Sequence, residues 1–211
     1  MDYLSGIAVL DVEATGLDVR NCAILSVGIV THRHGRLNTF YREYYPFDGA
    51  EISGKAMEIN GLDLGRIPRG RENDPRNVVV DVRSFLQGNG CATVAGQNPC
   101  VDKNYIDAYA ERYGEPFRVP FGMLDLHSLC LSFMLANGIE PPRKADGSSS
   151  SLSLDKVLQF VGLDPRPGPH NALDDAELEF EALCRLIHGA SAIARFADRP
   201  LPGVVSSGMR R

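Results

Sequence analysis

The chain has no Cys-x-x-Cys pair, no internal repeat, no excess of basic residues and no apolar run approaching the roughly 18 residues of a membrane span. Each absence closes a class. Its five cysteines, Cys22, Cys91, Cys100, Cys130 and Cys184, are odd in number and leave at least one thiol unpaired in a monomer. A disulfide framework is therefore not expected, and a reduced, intracellular setting is the simpler reading. The N-terminus lacks the basic-then-apolar pattern of a secretion signal, so Met1-Asp2-Tyr3 reads as a cytoplasmic start, with no membrane partner. A formal net charge of −5 and a pI near 5.5 argue against a protein that coats a polyanion, which needs a broad basic surface to release counterions. They leave room for an enzyme whose charge is gathered at a metal site, because cations recruited by carboxylates reverse the local potential where phosphate approaches.

What remains is ordinary globular composition: 44% hydrophobic and 23% charged over 211 residues, enough for one sizeable core. Residues 1–190 read as one domain. Residues 191–211, small and polar with two prolines, read as a tail and the least ordered part. The apolar run from Gly6 to Val12, the segment Ala23 to Thr31 and the aromatic stretch Leu37 to Tyr45 predict three strands with short connections, an antiparallel meander. A short helix is expected over Ile52 to Met57, then a Pro- and Arg-rich loop from Arg66 to Asn77. A helix follows over Val78 to Leu86, a strand at Thr93 to Ala95, and a helix over Asp102 to Tyr113. Met123 to Leu126 is the last expected strand, followed by a helix through Ala136. Pro141 to Ser151 forms a loop, and Leu152 to Val161 a short amphipathic helix ending near Gly162. The final helix spans Ala172 to His188, with Leu173, Ala176, Phe180, Leu183 and Ile187 on one face.

The chemistry starts at Asp11-Val12-Glu13-Ala14-Thr15-Gly16. Residues two apart on a strand share a face, so Asp11 and Glu13 project together, and two adjacent carboxylates repel unless a cation lies between them or one is protonated. Taken alone, Asp-x-Glu is more often a solvated strand end. With Thr15-Gly16 added, a chance match in a chain of this size falls to roughly a fraction of one per cent.

This hexapeptide, followed by Leu17-Asp18, resembles the first motif of the DEDDh 3′→5′ exonucleases of the ribonuclease H-like superfamily, which include proofreading subunits, ribonuclease T and oligoribonuclease. Two further motifs of that family are present in order. Asn98-Pro99-Cys100-Val101-Asp102, with Tyr105, matches the second, although Val101 replaces a usual phenylalanine and Gln97 stands where many members have histidine. His170-Asn171-Ala172-Leu173-Asp174-Asp175 matches the third at every fixed position, and the Leu152 to Gly162 segment resembles the helix that precedes it.

The resemblance implies an α/β, ribonuclease H-like three-layer fold: a mixed five-stranded sheet, three antiparallel strands then two parallel, flanked by helices. It implies hydrolysis at the 3′ end of single-stranded DNA or RNA, releasing nucleoside 5′-monophosphates with two Mg²⁺ or Mn²⁺ ions. Asp11 would bridge the ions, Glu13 and Asp175 would complete the site of the ion that activates water, and Asp102 would support the second, through water. His170 would act as general base in its neutral form. Ala14, Thr15, Gly16 and Leu17 would meet the 3′ nucleotide, with Ile59, Asn60 and Asn98 bordering the same pocket. Arg66, Arg69, Arg71 and Arg76 read equally as a phosphate-tracking surface or a solvated loop. Asp18 and Asp174 are expected to be bystanders, Asp174 favouring a helix N-terminus. Partners implied by the family are nucleic-acid 3′ ends, a second copy of the chain, and a polymerase or RNA-processing protein. Two other readings share the carboxylate logic: a binding or scaffold protein that has lost catalysis, and a metal phosphohydrolase acting on small molecules.

Overall fold

The computed structural model describes residues 3–166 and 168–209. Met1 and Asp2, at the start of the reading above, and Arg210 and Arg211, at the end of the expected tail, lie outside the described residues. Five strands form one sheet: β1 (Ile7–Ala14), β2 (Ile24–Arg33), β3 (Arg36–Glu43), β4 (Thr93–Gly96) and β5 (Met123–Asp125), in the order β3-β2-β1-β4-β5. β1, β2 and β3 pair antiparallel, whereas β4 joins β1 and β5 joins β4 in parallel, which is the expected mixed sheet. The helices are α1 (Gly54–Asn60), α2 (Asn77–Gly88), α3 (Cys100–Tyr113), α4 (Leu126–Ala136), α5 (Leu154–Phe160) and α6 (Ala172–His188). None of the described helices is long and apolar enough to cross a membrane.

Alternation along β1 feeds two cores. Ala8 and Leu10 join α2 and α3, through Val78, Val82, Ile106 and Tyr109, on one face, and Val9 joins α4, α5 and α6 on the other. Burial of each large apolar side chain, such as Phe180 or Leu183 of α6, contributes about 1.5–3 kcal/mol. Local chemistry sets the helix ends. α1 begins two residues later than expected because the Ser53 hydroxyl accepts the Ala56 N–H, and it ends where Gly61 turns left-handed. α6 begins where the Asn171 side chain accepts the N–H groups of Leu173 and Asp174 and ends at Gly189.

Two features bring the last helix onto the strand that carries Asp11. Gly28 pairs directly with Asp11, and a methyl group at Gly28 would lie 2.2 Å from the Ala172 carbonyl carbon and oxygen. The first turn of α6 therefore rests on bare backbone, closer than any side chain would permit. At the other end of α6, fully buried Arg185 is paired with buried Glu181 at 2.8 Å. Arg185 also donates to the carbonyls of Val161, Phe196 and Pro200, while Glu181 accepts the N–H groups of Ala192 and Ile193. The pair ties residues 192–200 to the helix.

Candidate active site

Asp11 and Glu13 leave β1 on the α6 side of the sheet, and the first turn of α6 delivers Asp175 to the same place. Asp11, Glu13, Asn98, His170 and Asp175 line one cleft of about 670 Å³. Within it, single ligand atoms of Glu13, His170 and Asp175 all lie within 4.8 Å of one another. Asp102, in the first turn of α3, joins through the backbone: its Oδ1 accepts the Val12 N–H at 3.0 Å, between the two carboxylates of β1. The loop carrying His170 is anchored by a hydrogen bond from its N–H to the carbonyl of Ile59 at 3.0 Å.

The remaining residues expected to meet substrate form an adjoining group where β1 ends against α1. Asn60, buried, donates to the Ala14 carbonyl at 3.2 Å. Thr15 is fully buried, its hydroxyl donating to the Glu51 carbonyl and accepting the Ala23 N–H. The Gly16 carbonyl accepts the Tyr105 hydroxyl, and a methyl group at Gly16 would come within 2.5 Å of the Cys22 sulfur. From this braced turn Leu17 stands out 92% exposed, and Ile59 is also exposed. The arginine loop lies elsewhere: Arg69 stacks on Tyr45 at 5.4 Å, and Arg66 pairs with Asp63. Asp18 caps its own turn and Asp174 faces Arg195.

Burial and mutual repulsion shift the carboxylates of this cleft upward. Burial, then Asp102, Glu179, Glu13 and Asp175, raise Asp11 well above the ordinary carboxylate range. Burial and then Asp175 push Glu13 up to about 8, against the opposing charge of Arg166. Burial carries Asp102 to about 7 despite the hydrogen bond from Val12. Burial raises Asp175 too, partly offset by Arg166. His170 shifts the other way, lowered by burial and then by Arg166. Its Nδ1 lies 3.8 Å from both Glu13 and Asp175. Arg166 Nη1 sits 3.1 Å from Nδ1, and a guanidinium can only donate, so Nδ1 holds the lone pair and Nε2 the proton.

Three residues outside the motifs complete the cleft. Arg166 bridges Asp155 and Asp175 at 3.0 Å each. It sits in a Pro/Gly loop whose sequence carries no signal for it. Glu179 is buried one helical turn beyond Asp175, and that four-residue spacing is a signal that could have found it. His127, at the head of α4, also lines the cleft. The donor set fits a hard divalent cation: carboxylate oxygens predominate, and the buried Oδ2 of Asp11 has no hydrogen-bond partner among the described residues.

Residues 8–183 match the RNase_T family model, described as exonuclease. The ribonuclease T of Actinobacillus pleuropneumoniae is 26% identical over 206 residues, covering 89% of this chain and 86% of that protein. The ribonuclease T of Yersinia pseudotuberculosis is 30% identical over 135 residues, 57% of this chain and 62% of that protein. Among solved structures, E. coli exonuclease I in complex with a dA16 oligonucleotide superposes with a TM-score of 0.67 at 15% identity, which is a likeness of fold. The match covers 84% of this chain and 39% of that one, so this chain spans about two fifths of exonuclease I.

Proposed function

The chain belongs to the RNase_T family of exonucleases, hydrolases that work in the 3′→5′ direction and depend on divalent metal, and from that premise we propose that it removes nucleoside 5′-monophosphates from single-stranded 3′ ends using two Mg²⁺ or Mn²⁺ ions. The observation that carries this reading is the convergence of Glu13, His170 and Asp175 ligand atoms within 4.8 Å, from opposite ends of the chain, beside the bare Oδ2 of Asp11. Asp11, Glu13, Asp102 and Asp175 would hold the ions. The ions, when bound, supply charge to both the attacking and the leaving oxygen of an in-line displacement. His170 would serve as the general base that takes the proton of the attacking water. Leu17 and Ile59 offer an apolar wall to the terminal base, and the buried bonds of Thr15 and Asn60 fix the turn that presents it.

Single-stranded substrate is supported by the fold likeness to exonuclease I, whose structure is a complex with a dA16 oligonucleotide. The test compares oligonucleotides labelled at the 3′ or the 5′ end, as DNA and as RNA, with Mg²⁺, Mn²⁺ or EDTA. Stepwise shortening from the 3′ end with either metal, abolished by EDTA, is the expected outcome; no cleavage with either metal overturns the reading.

A further inference from the structure

Glu179 is a buried carboxylate that none of the roles above employs. It lies on α6 one turn past Asp175, is 2% exposed, and lines the same cleft as Asp11, Glu13 and Asp175. One of its oxygens accepts the backbone N–H of Gln97. The other, Oε2, is buried with no hydrogen-bond partner among the described residues, as is Oδ2 of Asp11. An unpaired carboxylate held away from water is costly, so it either carries a proton or faces a cation that the site takes up.

Room for this side chain is built into the sheet. At the end of β4, a methyl group on Gly96 would stand 3.1 Å from Glu179 Oε2 and 3.3 Å from the Leu10 carbonyl, so a glycine there leaves the space the carboxylate fills. The second consideration is the state of Asp102, which has one oxygen committed to the Val12 N–H, while Glu179 Oε2 is uncommitted. The third is charge: Glu179 adds a carboxylate to the cleft that already holds Asp11, Glu13 and Asp175, so it deepens the negative potential that draws a cation in.

We propose that Glu179 is a fifth carboxylate of the metal centre, available to a cation in the cleft through its free Oε2, with Gly96 as the position that makes space for it. This rests on the reading of the chain as a metal-dependent exonuclease and assigns to α6 two ligands one turn apart in place of one.

The test is Mn²⁺ titration of the full chain by calorimetry, together with the rise in melting temperature on Mn²⁺ addition, for the wild type, Glu179→Gln and Gly96→Ala. Glutamine keeps the shape and the bond to Gln97 but removes the charge; the alanine leaves the charge and crowds it. For the wild type, two Mn²⁺ ions are expected. For both variants, one of them weakens by roughly tenfold or more, the metal-induced rise in melting temperature shrinks, and the Mg²⁺ concentration for half-maximal cleavage rises. If Glu179→Gln fails to fold, Gly96→Ala decides alone. Wild-type stoichiometry and affinities in the variants overturn the proposal while leaving the exonuclease reading standing. A wild-type chain that binds no Mn²⁺ overturns both.

Discussion

Arg166 Nη1 donates to Asp175 Oδ2 at 3.0 Å, so the carboxylate assigned to metal already has a cation beside it. The same nitrogen reaches His170 Nδ1, and the Arg166 Nε grips Asp155 on the other side. One guanidinium thus steadies the carboxylates and fixes the tautomer of the base. Its loop follows α5, where Asp155 sits in the first turn.

Arg166→Gln should therefore destabilise the metal-free protein by about 2–3 kcal/mol, below the 3–5 kcal/mol of a fully buried pair because the Arg166 side chain remains 18% exposed. Melting in EDTA should show this loss, and saturating Mn²⁺ should recover part of it by replacing the missing charge. An unchanged melting temperature in EDTA would remove Arg166 from this role.

His170→Ala should lower kcat by roughly 10²–10⁴-fold with a smaller effect on metal affinity, since a general base supplies proton transfer. Asp175→Ala should lower both. Single-turnover rates and Mn²⁺ titration of the two variants, with circular dichroism to check the fold, separate the roles.

In the metal-free protein, stability should fall as pH rises from about 4 to 8. Glu13 and Asp102 are raised from 4.5 and 3.8 to about 8 and about 7, so the folded state holds protons that the unfolded chain has released. Their contribution is fully present below the unfolded values and is lost as pH passes through the folded ones. Metal binds the ionised forms, so its stabilising effect should grow over the same range. Melting curves from pH 5 to 8.5, with EDTA and with Mn²⁺, test both slopes. A metal-free melting temperature that climbs with pH would contradict the assignment.

Leu17→Ser should leave the melting temperature unchanged, because a side chain 92% exposed contributes little packing. It should raise KM for an oligonucleotide several-fold if Leu17 packs on the terminal base. Equal KM for the variant and the wild type would exclude the contact.

Much of this was legible in the sequence because it is governed locally. The apolar runs of β1 and β2 and the stripe on α6 set the sheet and its covering helix, and the three motifs brought Asp11, Glu13, Asp102, His170 and Asp175 forward together. Glu181 and Arg185 were not legible, because charged residues within a helical pattern read as solvent-facing, and Glu179 carried only its four-residue step from Asp175 as a signal. α6 is instead enclosed by the sheet, α4, α5 and residues 192–205, so it buries charge on faces that a two-layer packing would leave wet. Arg166 was missed for a different reason: its partners Asp155, His170 and Asp175 converge only in three dimensions. The start of α1 shifted because Ser53, rather than the apolar Ile52 before it, occupies the N-cap position and accepts the Ala56 N–H.

The bare backbone at Gly28 gives the centre a place in the order of assembly. Asp11 and Glu13 are made near the beginning of the chain and Asp175 near its end, and they meet only when α6 has settled onto β2 at that glycine. Any partly folded form in which α6 has not docked lacks the set, so the cleft exists only with that long-range contact. The capacity to cut nucleic acid is then withheld from every incomplete chain, and a single added methyl group at position 28, touching no substrate, would leave the finished chain in that unfinished condition.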